Sequence, residues 1–181
     1  MSREIMFRRD CGYIIIMKSF KDYIESVGRK PRNGISLGIE DIYLIKLKSR
    51  DGFRYEIRDY GLEPYVILGW LAGFEGKYGE IPGYGKKEEM FHLYNTGMMA
   101  KSASSGWLNK AHDVRADDSK YQGKGIFRAA VQAVANLYPR GLYVRKGEAS
   151  RLLQNSLKKM ATYEEFGESG DFDTMLVIKP S

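Results

Sequence analysis

Apolar and polar positions alternate over Ile42–Lys48 and again over Phe53–Arg58, which predicts two strands. Between them Ser49-Arg-Asp-Gly52 is turn chemistry, so the pair reads as a β-hairpin. Gly12–Met17 and Tyr65–Leu71 are apolar runs of strand length. Ser19-Phe-Lys-Asp22 has the character of a helix start, and Phe20, Tyr23, Ile24 and Val27 keep helical spacing up to Gly28. From Gly69 to Gly85 six glycines are interleaved with Trp70, Phe74, Tyr78 and Tyr84. That stretch reads as a long loop or a distorted hairpin, and loops of this length usually carry function.

The last third is more regular. Trp107–Arg115 predicts a strand, and the polar link Ala116–Gln122 leads into Gly123-Lys-Gly125. Ile126–Tyr138 is then helical. Phe127, Ala130, Val131, Val134, Leu137 and Tyr138 form its apolar stripe, with Arg128, Gln132 and Asn136 opposite. Pro139 stops that helix. Leu142–Arg145 reads as a short buried strand and Glu148–Met160 as a second helix. Ala161–Phe166 and Thr174–Lys179 close the sequence as strands. A strand–helix–strand crossover implies a right-handed parallel connection, here pairing Trp107–Arg115 with Leu142–Arg145. The expected fold is α+β: a mixed, mainly antiparallel sheet flanked by helices, with a parallel pair around the Ile126 helix.

Length and composition narrow the function classes. At 181 residues the chain is expected to form one domain, residues 1–181, able to bury a full core. Its longest apolar run, Tyr13–Met17, is too short for a membrane span or the apolar region of a signal peptide. The single cysteine, Cys11, excludes an internal disulfide and suits a reducing, cytoplasmic setting; it is read as an inert thiol. With two histidines and one cysteine there is no zinc-type cluster, and the expected metal is none. Lys plus Arg total 29 against 23 Asp plus Glu, a net charge of +6. That balance suits solubility or an anionic partner, but no Lys/Arg block exceeds two residues.

The Gly123-Lys-Gly125 turn changes this picture. Glycines at a helix entrance let backbone amides approach a ligand, and the amides there carry partial positive charge suited to phosphate. Lys120, Lys124 and Arg128 add formal charge nearby. The full dinucleotide fingerprint Gly-x-Gly-x-x-Gly is absent. The stretch Tyr121-Gln-Gly-Lys-Gly-Ile-Phe127, before an amphipathic helix, resembles the acyl-CoA signature of the GNAT superfamily of N-acyltransferases. The resemblance covers mainly residues 107–181, the CoA-binding half. Residues 1–106, with the Gly/aromatic stretch 69–87, would form a variable acceptor-side half. It implies a GNAT-like fold and acetyl-CoA as cofactor. The backbone of Gln122, Gly123, Lys124, Gly125, Ile126 and Phe127 would hold the pyrophosphate, with Arg128 beside it. Val114 would bond the pantetheine arm. Many members protonate the leaving thiolate with a tyrosine of the second helix, and here the matching position is Gln154 or Asn155.

Direct acyl transfer to an amine benefits from a base near the thioester. His112 and Asp113 are the first candidates; they alternate on one expected strand, so only one faces the substrate. Glu88, Glu89 and His92 come next. Ser102–Gly106 lacks a G-x-S-x-G frame and is not read as a nucleophile elbow. The leading function is therefore an acetyl-CoA-dependent N-acetyltransferase acting on an amine: a protein lysine or N-terminus, or a small amine. The alternatives are a catalytically degenerate binding or structural protein of the same fold, including a virus-associated one, and a nucleic-acid binder meeting backbone phosphates at the turn. Acceptor specificity would lie within residues Gly61–Ser105.

Overall fold

The structure is a computed structural model, and it describes residues 5–8, 14–17, 31, 33–61, 65–98, 121, 123–167 and 174–181. Near the amino end, β1 (Ile5–Arg8) and β2 (Ile14–Met17) pair antiparallel. The expected hairpin forms as β4 (Ile42–Ser49) and β5 (Gly52–Asp59), closing with Ser49 opposite Gly52 across Arg50 and Asp51. The short β3 (Ile35–Ser36) lies along β4. β6 (Val66–Glu75) pairs with β5 on one side and with β9 (Phe91–Met98) on the other. β7 (Glu80–Ile81) and β8 (Gly85–Lys86) make a separate small hairpin.

After β9 the described chain resumes with α1 (Ile126–Ala135), β10 (Leu142–Arg145), α2 (Arg151–Leu157), β11 (Tyr163–Phe166) and β12 (Met175–Ile178). The main sheet has eight strands in the order β11-β12-β10-β9-β6-β5-β4-β3. β9 and β10 are parallel and its other pairs are antiparallel.

The two-residue period of the strands sorts side chains between the faces. Leu44, Ile57, Leu93, Leu142, Leu176 and Ile178 pack in one cluster with α1, which buries Ile126, Ala130, Val131, Val134 and Ala135 against them. Leu157 of α2 joins the same cluster. The alternate residues Tyr143, Met175 and Val177 face the other way, where Ile81 and Met90 cover them. Tyr84 and Phe166 extend that second cluster, their rings 4.8 Å apart. Arg140 fastens the β7–β8 hairpin down: its guanidinium donates to Tyr84 O at 2.8 Å and to Glu89 Oε2 at 2.6 Å.

This architecture corrects the expected fold. Among the described residues strand dominates, with twelve strands and two α-helices. Among the described residues the sheet is not flanked by helices on both faces, as a GNAT-like α+β fold requires. Both helices join the first cluster, and the second face carries the β7–β8 hairpin. The reason lies in the glycine-rich stretch. Its first part extends β6 to Glu75, and the rest makes a hairpin whose Ile81 and Tyr84 fill the area a helix would occupy. Two further expectations change. The parallel neighbour of β10 is β9, and β12 takes its other edge. The segment 107–115, expected in that role, lies outside the described residues, as does the expected helix at 19–28. The second helix is also shorter than expected: residues 146–148 form a 3-10 turn, and Ser150 Oγ accepts from Leu153 N to start α2.

Phe91 ties these layers together. Its ring is fully buried, edge-on to Tyr55 of β5 at 5.4 Å and 5.3 Å from Tyr138 just beyond α1. Tyr55 and Tyr138 also share a hydroxyl–hydroxyl hydrogen bond of 3.1 Å. We expect Phe91→Ala to destabilise the fold by about 3–5 kcal/mol, the usual cost of emptying a buried aromatic site. Urea unfolding of the two proteins measures this.

Candidate functional site

The glycine turn sits where the sequence places it, at the entrance of α1. Gly123 and Gly125 both adopt left-handed backbone conformations, with φ of +72° and +66°. Gly125 is the N-cap of α1, and no side chain accepts a hydrogen bond there. The first turn of α1 holds no acidic residue. Its positive end is therefore uncompensated by its own sequence. α2 differs, because Ser150 caps it.

The turn opens onto a cleft of about 830 Å³. Gly123, Gly125, Phe127 and Arg128 form one wall, and Leu152, Leu153, Ser156 and Lys159 the other. Thr96 and Gly97, late in β9, line its end. They come within reach because β9 and β10 stay paired for only two residues, Phe91–Leu142 and His92–Tyr143. Beyond that pair β9 continues along β6, among the described residues.

A buried bond holds the turn in place. Tyr121 Oη donates to Asp59 Oδ2 at 2.6 Å, and Asp59 Oδ1 accepts from Gly61 N at 2.7 Å. Asp59 is fully buried and Tyr121 nearly so. Burial and the carboxylate partner both push the Tyr121 hydroxyl well above the ordinary tyrosine range, so it remains a donor.

The expected site residues divide into three groups. Gly123, Gly125, Ile126, Phe127 and Arg128 line the cleft, with Lys124 exposed beside it. Asp113, His112, Val114 and Gln122 lie outside the described residues, as do Cys11, Ser102–Gly106 and Lys120. The two positions matched to the thiol-protonating tyrosine stand apart from the cleft chemistry. Gln154 donates to Lys146 O at 3.2 Å and Ala149 O at 2.9 Å, so it braces the 3-10 turn. Asn155 is exposed on α2. Glu88 and Glu89 form part of the 3-10 turn before β9, and Glu89 is held by Arg140.

His92, a second-rank candidate, is buried. It lies on β9, with Phe91 and Leu93 turned toward the helices and its own ring on the opposite face. The ring stacks on Tyr143 at 4.6 Å and meets Phe74 edge-on at 4.7 Å. Its Nε2 is buried without a hydrogen bond and 3.6 Å from Glu148 Oε2. Burial lowers its pKa; the Glu148 carboxylate opposes that shift, while Arg145 and Lys87 reinforce it. The imidazole is thus neutral near pH 7, with a carboxylate placed to stabilise an added proton. Tyr121–Asp59 and His92–Glu148 both escape local sequence reading, because each joins residues far apart in the chain. One signal was present: Phe91-His-Leu-Tyr94 alternates, marking β9 and setting His92 apart from the core side.

Compared with known proteins, the chain matches no family model, no curated sequence and no solved structure. Among the described residues no group of His, Cys, Asp and Glu could hold a metal ion, and no helix is long and apolar enough to cross a membrane.

Two measurements check the site. Tyr121→Phe removes one donor from the buried Asp59 carboxylate and should cost about 1–3 kcal/mol in denaturant unfolding. His92 should titrate below the usual 6.5 in ring NMR. A histidine depressed in the folded state stabilises it above its unfolded pKa. Stability should therefore fall as pH drops below that value, and His92→Phe should flatten the slope.

Proposed function

We propose that the chain is an acetyl-CoA-dependent N-acetyltransferase that transfers its acetyl group directly to an amine. The observation that carries this reading is the uncapped, glycine-built entrance of α1 opening onto the cleft between α1 and α2. First-turn amides that no described side chain caps suit a pyrophosphate, and Arg128 and Lys159 line the same cleft with positive charge. The cleft volume of about 830 Å³ lies within the range of cofactor sites. The residues present therefore fit the group.

Bound there, acetyl-CoA would supply an activated acyl carbon. Transfer joins that carbon to the amine nitrogen, breaks the C–S bond with its electron pair going to sulfur, and releases one proton from nitrogen. The amides of residues 123–128 would bind and orient the anionic end. Asp113 or His112 remains the base expected from the strand preceding the turn. The leaving thiolate, with a pKa near 8.5, needs little help from an acid. A tyrosine on α2 is thus dispensable, and α2 has none.

A Cβ at Gly123 meets nothing within 4 Å, and at Gly125 only the Arg128 guanidinium, 3.7 Å away. Gly123→Asp and Gly125→Asp therefore meet no clash, although the left-handed backbone strains each by about 1–2 kcal/mol; the folded variants should lose CoA binding in calorimetry because the carboxylate repels the pyrophosphate. Unchanged affinity in both folded variants would reduce the turn to a structural one. In acetyl-transfer assays Asp113→Asn or His112→Ala, whichever removes the base, should lower kcat by on the order of 10²–10⁴. Asn155→Ala should leave it unchanged. Tight CoA binding with no transfer to any of a panel of amines would favour the non-catalytic binding protein.

A further inference from the structure

On the sheet face opposite α1, a second cavity of about 500 Å³ surrounds His92. Its walls come from three separated stretches. Phe74, near the end of β6, is followed by Lys77 and Tyr78; Lys87 stands in the 3-10 turn before β9, which adds His92 and Tyr94; and Arg145 and Glu148 follow Tyr143 from β10. The glycine-rich stretch thus folds over the strand face and supplies much of one side.

The charges in this cavity are not those of a site for a simple cationic amine. Three cationic side chains, Lys77, Lys87 and Arg145, line it against one carboxylate, Glu148. Arg145 Nη1 is 3.5 Å from Glu148 Oε1, which leaves much of the exposed guanidinium accessible. Among the described residues no carboxylate lies within ion-pair distance of Lys77 or Lys87. A bare ammonium entering here would meet net repulsion, whereas a molecule that also carries an anionic group would be held at both ends. Tyr78 and Tyr94 stand exposed at the cavity, and Phe74 borders it, so aromatic surface is available beside the charges.

We infer that this cavity binds an amine bearing its own carboxylate, an amino-acid-like acceptor, with the amine toward Glu148 and the carboxylate toward Lys77, Lys87 and Arg145. Calling that ligand an acceptor rests on the acetyltransferase reading; its recognition rests on the cavity's charges alone. A flat or apolar side chain would lie against the tyrosines.

Calorimetry of the full chain, with and without CoA, against L-phenylalanine, phenethylamine and 3-phenylpropanoate tests this. The three share one ring and differ in carrying both charged groups, the amine only or the carboxylate only. L-Phenylalanine should bind roughly tenfold or more tightly than either, as expected for losing a hydrogen bond to a charged group. Lys77→Gln combined with Arg145→Gln, two exposed positions, should erase its advantage over phenethylamine. Phenethylamine binding as tightly as L-phenylalanine, an advantage that survives the double substitution, or no binding of L-phenylalanine would each overturn the inference. The parent reading is tested separately by thiol release from acetyl-CoA. Selective binding of L-phenylalanine without acetyl transfer would overturn the acetyltransferase and leave the cavity's specificity standing. Acetylation of phenethylamine in preference to L-phenylalanine would do the reverse.

Discussion

β9 and β10 run parallel, yet they hold each other at only two residue pairs before they part. Everything chemical in the described structure gathers at that parting. A parallel connection must cross one face of the sheet, and α1 makes that crossing between the two strands. Its entrance consequently lies at the end where the strands diverge, together with Thr96 and Gly97 of β9 and the flank of α2. On the other face the last pair, His92 and Tyr143, stacks ring on ring and forms the floor of the second cavity. One strand thus serves both faces: Phe91 and Leu93 secure it to the core, while His92 and Tyr94 face the cavity.

The positive charge of the chain becomes meaningful only through this arrangement. Its formal excess of +6 is modest and includes no Lys/Arg block longer than two residues. In space Arg128 and Lys159 meet at the α1 cleft, while Lys77, Lys87 and Arg145 meet at the other. Elsewhere cations are spent on structure. Arg54 and Arg58 flank the buried Glu56, with Glu56–Arg58 at 2.7 Å, and each packs on an aromatic ring, Trp70 and Tyr65 respectively. Arg140 fixes the β7–β8 hairpin.

Local patterns were legible where local physics decides them. The 42–59 hairpin, the Ile126 helix and the strand Leu142–Arg145 follow from periodicity and turn chemistry, and the structure has all three. The glycine turn was legible too, because left-handed backbone and bare amides are properties of a few adjacent residues. What failed was the layer arrangement. A stretch with six glycines between Gly69 and Gly85 gives no clean period, so it reads as a long loop or a distorted hairpin, and neither the extension of the 65–71 strand to Glu75 nor the face that the hairpin covers shows. The helix-flanked expectation failed with it. Tertiary pairs such as Tyr121–Asp59 and His92–Glu148 join residues far apart in the chain, which no single window of sequence encodes.

The central claim is that the α1 entrance receives the phosphates of CoA. Titrating CoA into the uniformly ¹⁵N-labelled full chain and following backbone amide resonances tests it most directly. The account predicts the largest shifts at Gly123, Lys124, Gly125 and Ile126, with smaller ones across Ser150–Lys159. Absence of saturable shifts, or shifts confined to other surfaces, would contradict it.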